Sequence, residues 1–343
     1  MFNKDNTLNI LERIVNVPSP TGFCNDVLDE VEKIVAENGY KLERQQTGSA
    51  VITIDGEDNS YCIGIPVHVD TLGFMVRSVN SDGTLRITEL GGNMYSTVDG
   101  EYCKIHTRQG KEFTGTILCT SPAVHVFPDA RTKERIEENM MVRIDQVTYK
   151  KEETEALGIG NGDFVSVEPK YTVTESGYVK SRYLDDKAGV ACALSLLEIF
   201  NRTKTKPKYR VKIIISIYEE IGHGCSWIPE DINELLGIDM GCIGLDLACN
   251  EEQVSICAKD RTGPYDFNMV NKLIDIAKEK KLGYVVDVYP FYGSDVSAAQ
   301  SGGNKIRGAL IGPGINASHG MERTHIRGIE NTVRLIHGYV TEA

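Results

Sequence analysis

Two histidines and six carboxylates stand where apolar runs begin or end. His68 and Asp70 close one run, and Glu219-Glu220 closes another. Asp185-Asp186 opens a helix-like segment, Asp246 follows residues 241–245, and His319 lies in a Gly-rich stretch after Leu310-Ile311-Gly312. Open α/β sheets bind ligands beyond the carboxyl ends of their strands, so these groups are expected to converge. Imidazole nitrogen and carboxylate oxygen are ligands for zinc-like ions, and a catalytic site leaves one position open to water. Two ions with three protein ligands each need six contacts, which five residues supply if one carboxylate bridges. Paired ions about 3.5–4 Å apart can share a hydroxide and polarise a carbonyl together. A carboxylate left off the metal can then take the water's proton. Singly, each group also has a plain structural use: a satisfied core histidine, a helix N-cap pair, a solvated strand end. His325, six residues beyond His319, competes for the last ligand position.

The elements that must position these groups follow from hydrophobic periodicity. Apolar residues at helical spacing predict helices over 5–17 and around Val27–Val35, with Pro18–Gly22 and Gly39 as stops. Residues 50–54 and the nearly unbroken apolar run 61–68 read as strands, the second covered on both faces. From 71 to 165 the texture changes to short β-rich pieces separated by turn residues, such as 84–88, 102–107 and 112–117. Met140–Ile144 reads as a further strand. Alternation returns after 166: a helix over 187–200, strands over 211–217 and 241–245, a helix over 268–281, a strand over 284–288 and a helix over 327–341. The expected fold is α/β, a mostly parallel central sheet flanked by helices, with a small inserted β-domain. Residues 1–70 and 166–343 form the outer domain and 71–165 the insert.

At 343 residues the chain is long enough for about two domains. A net charge of −12 argues against a nucleic-acid or anionic-membrane surface, since such partners select clustered Lys and Arg. No apolar run approaches the roughly 20 residues of a membrane helix, and no signal core follows the first residues. Nine scattered cysteines without a CxxC pair fit buried free thiols and a cytoplasmic location rather than a disulfide framework.

Three fragments carry a resemblance: residues 68–76 (HVDTLGFMV), 184–190 (LDDKAGV) and 219–222 (EEIG), supported by 155–163 and by Gly293-Ser294-Asp295-Val296. In this order and spacing they resemble the tetrahedral, or deblocking, aminopeptidases, di-metal metallopeptidases that include the glutamyl aminopeptidases. The resemblance implies a zinc-peptidase-like fold with the insert closed as a β-barrel. It implies that His68 and Asp246 bind one ion, Glu220 and His319 the other, and Asp185 both. Glu219 would be the general base and acid, and Asp70 would orient the His68 imidazole. It further implies a cis Asp185–Asp186 peptide. Two divalent ions per chain are expected, zinc first, with cobalt or manganese also compatible. The implied substrates are peptides with a free N-terminus, and the implied assembly is a homo-oligomer of up to a tetrahedral dodecamer, paired through the insert.

Three departures stand out. Thr71 occupies a usually acidic position, residues 318–325 replace a His-Ser-Pro run, and residues 259–266 replace a Gly-rich stretch. They leave a second reading open: a di-metal amidohydrolase acting on an N-acyl amino acid or a specialised small dipeptide. Arg261, Arg307 and Arg323 would then clamp a substrate carboxylate.

Overall fold

Uninterrupted apolar runs become the central strands, because only a strand covered on both faces can bury consecutive side chains. In the computed structural model, which describes residues 2–342, strand Asp58–His68 is buried over its last seven residues. Strand Tyr209–Ser216 pairs with it in parallel and sets Ser216 opposite His68. Strand Glu234–Ile238 is parallel on its other side, and Arg307–Ile315 is parallel beyond that. Four neighbouring strands therefore deliver their carboxyl ends to one edge of the sheet.

Toward both flanks the ten-stranded sheet becomes mixed. Leu42–Arg44 and Ala50–Ile54 form an antiparallel pair, and Ala50–Ile54 is antiparallel to Tyr209–Ser216. At the far side Val254–Asp260 runs antiparallel to Arg307–Ile315 and parallel to Tyr284–Val288. The expectation of a strand over 241–245 needs correction. Only Gly241–Cys242 pair, because Gly244 (φ +141°) and Leu245 (φ +48°) leave extended geometry. The preceding run Glu234–Ile238 takes the place in the sheet instead.

Helix Leu184–Thr203 is buried at every residue from Leu184 to Leu197, as a helix with apolar residues on all sides must be. It packs between Lys4–Val15 and Ile326–Thr341. Its buried Lys187 donates to the carbonyls of Ile14 and Val17, both at 2.9 Å, satisfying acceptors left over at the end of the first helix.

The β-rich region closes into a six-stranded barrel. The order around it is Gly73–Val79, Leu85–Leu90, Met140–Ile144, Glu112–Cys119, Tyr102–His106, Phe164–Val167. Phe74, Ile87, Ile105, Ile117, Val142 and Val165 fill its interior as a core of their own, separate from that of the sheet and helices. A closed barrel has no unpaired edge, and this one pairs all six of its strands with one another rather than with the sheet. All nine cysteines are free, and among the described residues no helix is long and apolar enough to cross a membrane.

Candidate active site

His68 is the last residue of its strand and is buried. Its Nδ1 donates to the main-chain carbonyl of Asp70 at 2.9 Å, which leaves Nε2 free as a ligand. Nε2 lies 3.3 Å from Asp185 Oδ1, 3.6 Å from Glu219 Oε2 and 4.0 Å from Asp239 Oδ1. The Asp70 carboxylate faces this imidazole and also organises the chain beside it. One oxygen is 3.6 Å from the imidazole, and the group accepts from the amides of Glu219 and Glu220, both at 3.2 Å, and from the Thr21 hydroxyl at 2.8 Å. Asp70 thus holds the one-turn segment Glu219–Ile221 that follows strand Tyr209–Ser216.

Asp185 enters from the start of the buried helix, across a cis peptide to Asp186. Its Oδ1 faces His68, and its Oδ2 is 3.6 Å from His319 Nε2. His319 Nε2 is also 3.7 Å from Glu220 Oε2. The far nitrogen of His319 donates to the Gly92 carbonyl at 2.8 Å, so the barrel side of the molecule fixes this imidazole. His319 has a left-handed backbone (φ +62°), which is costly for a residue with a Cβ. Glu322 holds it there: one carboxylate oxygen accepts from the His319 amide and the other from the Asp185 amide, each at 3.0 Å. Asp186 is fully buried and accepts from the His68 and Gly189 amides, tying the strand end to the helix start.

Asp246 is not in this cluster. It is exposed, in the irregular chain that follows Gly241–Cys242. Asp239, one residue past strand Glu234–Ile238, is buried and stands beside His68 in its place. A Cβ on Gly312 would sit 1.3 Å from the Asp239 carbonyl, so only glycine lets strand Arg307–Ile315 approach this closely. His325 is engaged elsewhere. Its Nδ1 accepts from the Arg327 amide, capping helix Ile326–Thr341, and its Nε2 is 2.8 Å from the Ser176 carbonyl. The three-arginine clamp does not assemble either. Arg307 pairs with Glu234 at 2.9 Å, and Arg323 lies over the Tyr178 ring near Glu251, which leaves Arg261 alone at the site.

The ion-pair partners of Asp185, Glu219, Glu220 and Asp239 are the two imidazoles. Burial, with crowding by other carboxylates, pushes Glu219 and Glu220 well above the ordinary carboxylate range against the pull of His68. Burial and Asp185 push Asp239 up to about 8. Burial would raise Asp185 too, but His68 and His319 on either side hold it below its usual value. Burial opposes charge on His68, yet Glu219, Asp185, Asp70 and Asp239 outweigh it and raise the imidazole well above normal. Such a set of buried acids calls for cations. His68, Asp185 and Glu220 offer ligand atoms within 4.8 Å of one another, as do His68, Asp186 and Asp239. Tetrahedral ligands bonded to zinc at about 2.0–2.1 Å stand about 3.4 Å apart, close to the separations here. The donor set therefore fits divalent ions.

Two pockets open onto this cluster. One of about 660 Å³ is lined by Glu219, Glu220, Arg261, Thr262 and Asp295, among others. The other, of about 320 Å³, shares Asp185, His319, Phe291 and Tyr292 with it and is otherwise lined mainly by Met240 and residues 242–247. Sequence reasoning missed Asp239 and Glu322. For Asp239 the signal was present: Leu235-Leu236-Gly237-Ile238 is as apolar as the run that was preferred over it.

Residues 48–335 match the M42 glutamyl aminopeptidase family. YhfE of Bacillus subtilis (strain 168), provisionally named an aminopeptidase, is 43% identical over 335 residues, covering 97% of each chain. Among solved structures, a TET aminopeptidase from a marine-sediment Thaumarchaeota archaeon superposes with a TM-score of 0.89 at 18% identity, over 99% of this chain and 97% of the other. The Pyrococcus horikoshii TET1 peptidase, described as assembling into a tetrahedron or a large octahedral shell, does so with 0.85 at 20% identity, over 98% and 100%. With a family match across most of its length and a close relative over nearly all of it, the chain belongs to the M42 glutamyl aminopeptidases, which are peptide-bond hydrolases.

Proposed function

We propose that this aminopeptidase removes N-terminal residues from peptides at a two-ion centre with Glu219 as its proton carrier. The observation that carries the reading is the split of Asp185: one oxygen faces His68 and the other His319. His68, Asp185 and Asp239 would hold one ion, and Asp185, Glu220 and His319 the other, so Asp239 replaces Asp246 in the expected set. Zinc suits the mixed nitrogen and oxygen donors, and cobalt or manganese also fits. When bound, the ions supply Lewis acidity that polarises a carbonyl and eases deprotonation of a water.

The side chains do the rest. Glu219 stands beside the cluster, 3.6 Å from His68, and its raised pKa suits a group that accepts a proton from water and later gives it to the departing amine. Asp70 fixes the backbone of both Glu219 and Glu220, so base and ligand move as one unit. Glu322 ties Asp185 to His319 and keeps the two halves of the centre in register. The carboxylates also give the free N-terminal ammonium a place to dock, which a blocked terminus lacks.

The wider reading is a cytoplasmic homo-oligomer. Nine unpaired thiols suit a reducing compartment. The likeness to a shell-forming peptidase supports assembly up to a tetrahedral dodecamer, with the barrel pairing subunits and limiting access to unfolded peptides. Light scattering checks this: a strict monomer at working concentration contradicts it. For the activity, metal-loaded protein is offered aminoacyl reporters with free or acylated amines. Cleavage of the free set is expected. Cleavage confined to the acylated set would transfer the site to the N-acyl amidohydrolase reading, for which Arg261 in the larger pocket would supply the carboxylate contact.

A further inference from the structure

The two pockets differ in kind, and the position of Glu219 tells which part of a peptide each receives. Glu219 lines the larger pocket and not the smaller. A group that returns a proton to the departing nitrogen must reach the leaving side of the scissile bond. The leaving peptide therefore lies in the larger pocket, which also holds Arg261 and Thr262. The smaller pocket, which shares Asp185, Phe291, Tyr292 and His319 with the larger but lacks Glu219, is left for the side chain of the N-terminal residue.

That smaller pocket is apolar. Apolar residues, Met240, Cys242, Ile243, Leu247 and Phe291 among them, make up most of its wall, and among the described residues no Lys or Arg lines it. Beyond Asp185 at its floor, its acid is Asp246, which is exposed. The wall is held in shape from behind. Buried Asp287 accepts from the amides of Ala248 and Cys249 at 2.8 and 3.1 Å, which anchors the segment 243–249. At about 320 Å³ the space is within the ordinary range for a small-ligand pocket.

Resting on the aminopeptidase reading, we infer that this enzyme prefers an apolar N-terminal residue (leucine, methionine or phenylalanine) over glutamate. An aliphatic side chain gains the transfer energy of burial. A glutamate side chain would lose its water against the apolar wall and beside Asp246, with no Lys or Arg side chain among the described residues of the pocket to pair it. A lysine could reach Asp246 only at the exposed rim, where ion pairs contribute little. The burial of one such side chain corresponds to roughly a 10- to 150-fold advantage in kcat/KM.

The test uses the metal-loaded full chain and aminoacyl p-nitroanilides of Leu, Met, Phe, Lys and Glu, with kcat/KM measured for each. The apolar set should exceed Glu by at least about 10-fold, with Lys between them. Ile243→Lys places a cation in the wall and should move the Leu/Glu ratio toward Glu by at least about 10-fold, and Leu247→Arg should do the same. The ratio is the readout, so a general loss of activity does not mimic the effect. Equal or preferred cleavage of Glu by the parent enzyme overturns the inference and leaves the aminopeptidase reading standing. Ratios that stay fixed in both variants overturn the pocket assignment. No cleavage of any free-amine substrate by protein carrying both ions removes the inference together with the reading beneath it.

Discussion

Asp239→Asn and Asp246→Asn are two nearly isosteric changes seven positions apart, and the structure gives them opposite outcomes. Asp239 is buried with an oxygen 4.0 Å from His68 Nε2, while Asp246 is exposed. The Asn carbonyl oxygen can still accept from the Met240 amide, which Asp239 now does at 2.6 Å, so the fold should tolerate the change. What is lost is one of the three ligands proposed for that ion, together with its carboxylate charge. Substituting a group that merely orients a ligand costs about 10- to 100-fold in metal affinity, so losing the ligand itself should cost at least about 100-fold at that ion. This is about 2.7 kcal/mol. Competition with a chromophoric chelator, with elemental analysis after dialysis, reads both affinity and number. Asp239→Asn should keep one tightly held ion per chain, and Asp246→Asn should keep two at parental affinity. Loss of an ion from Asp246→Asn, with two retained in Asp239→Asn, would refute the placement of the centre.

Two further predictions concern stability away from the site. Buried Glu234 accepts from Tyr339 at 2.7 Å and Tyr61 at 2.9 Å and pairs with Arg307, so Tyr339→Phe should cost about 1.5–3 kcal/mol in urea unfolding; a change under about 0.5 kcal/mol would show that the bond contributes nothing net. In the barrel, burial holds the His106 pKa below its ordinary value, with Nε2 2.8 Å from the Ser166 hydroxyl. The unfolded chain then binds a proton more readily than the folded one, so this group contributes stability that is present above the unfolded pKa of about 6.5 and is lost as pH falls below it. The parent should lose more stability than His106→Gln between pH 6.5 and 5; parallel slopes would contradict the assignment.

The candidate site residues were legible where an apolar strand ended on them without interruption. His68 and Glu219-Glu220 follow strongly apolar runs, and both runs are central strands. Asp246 misled because Gly241–Leu245 imitates such a run in composition, while the backbone at Gly244 and Leu245 cannot extend. Choosing between it and Glu234–Ile238 needed sheet register, which local pattern does not contain. His319 was the expected ligand with His325 as its competitor in sequence; in the fold they differ by a carbonyl from Gly92, 227 residues from His319, against a helix cap next to His325. Glu322 was invisible for a related reason, since its partners are main-chain amides brought near by tertiary structure. The barrel was recognisable from short strands and turn residues, but its closure depends on pairing between Gly73–Val79 and Phe164–Val167 across most of the insert.

Glu219→Gln bears most directly on the central claim, because Glu219 stands beside the ligand set and not within it. The substitution keeps the side chain's size and the amide contact to Asp70, but it removes the carboxylate that would carry the proton. Steady-state turnover of a free-amine reporter, measured on the same sample as metal content, should show two ions per chain and kcat lowered by at least about 100-fold. Parental kcat with both ions bound would contradict the assignment of Glu219 as the proton carrier.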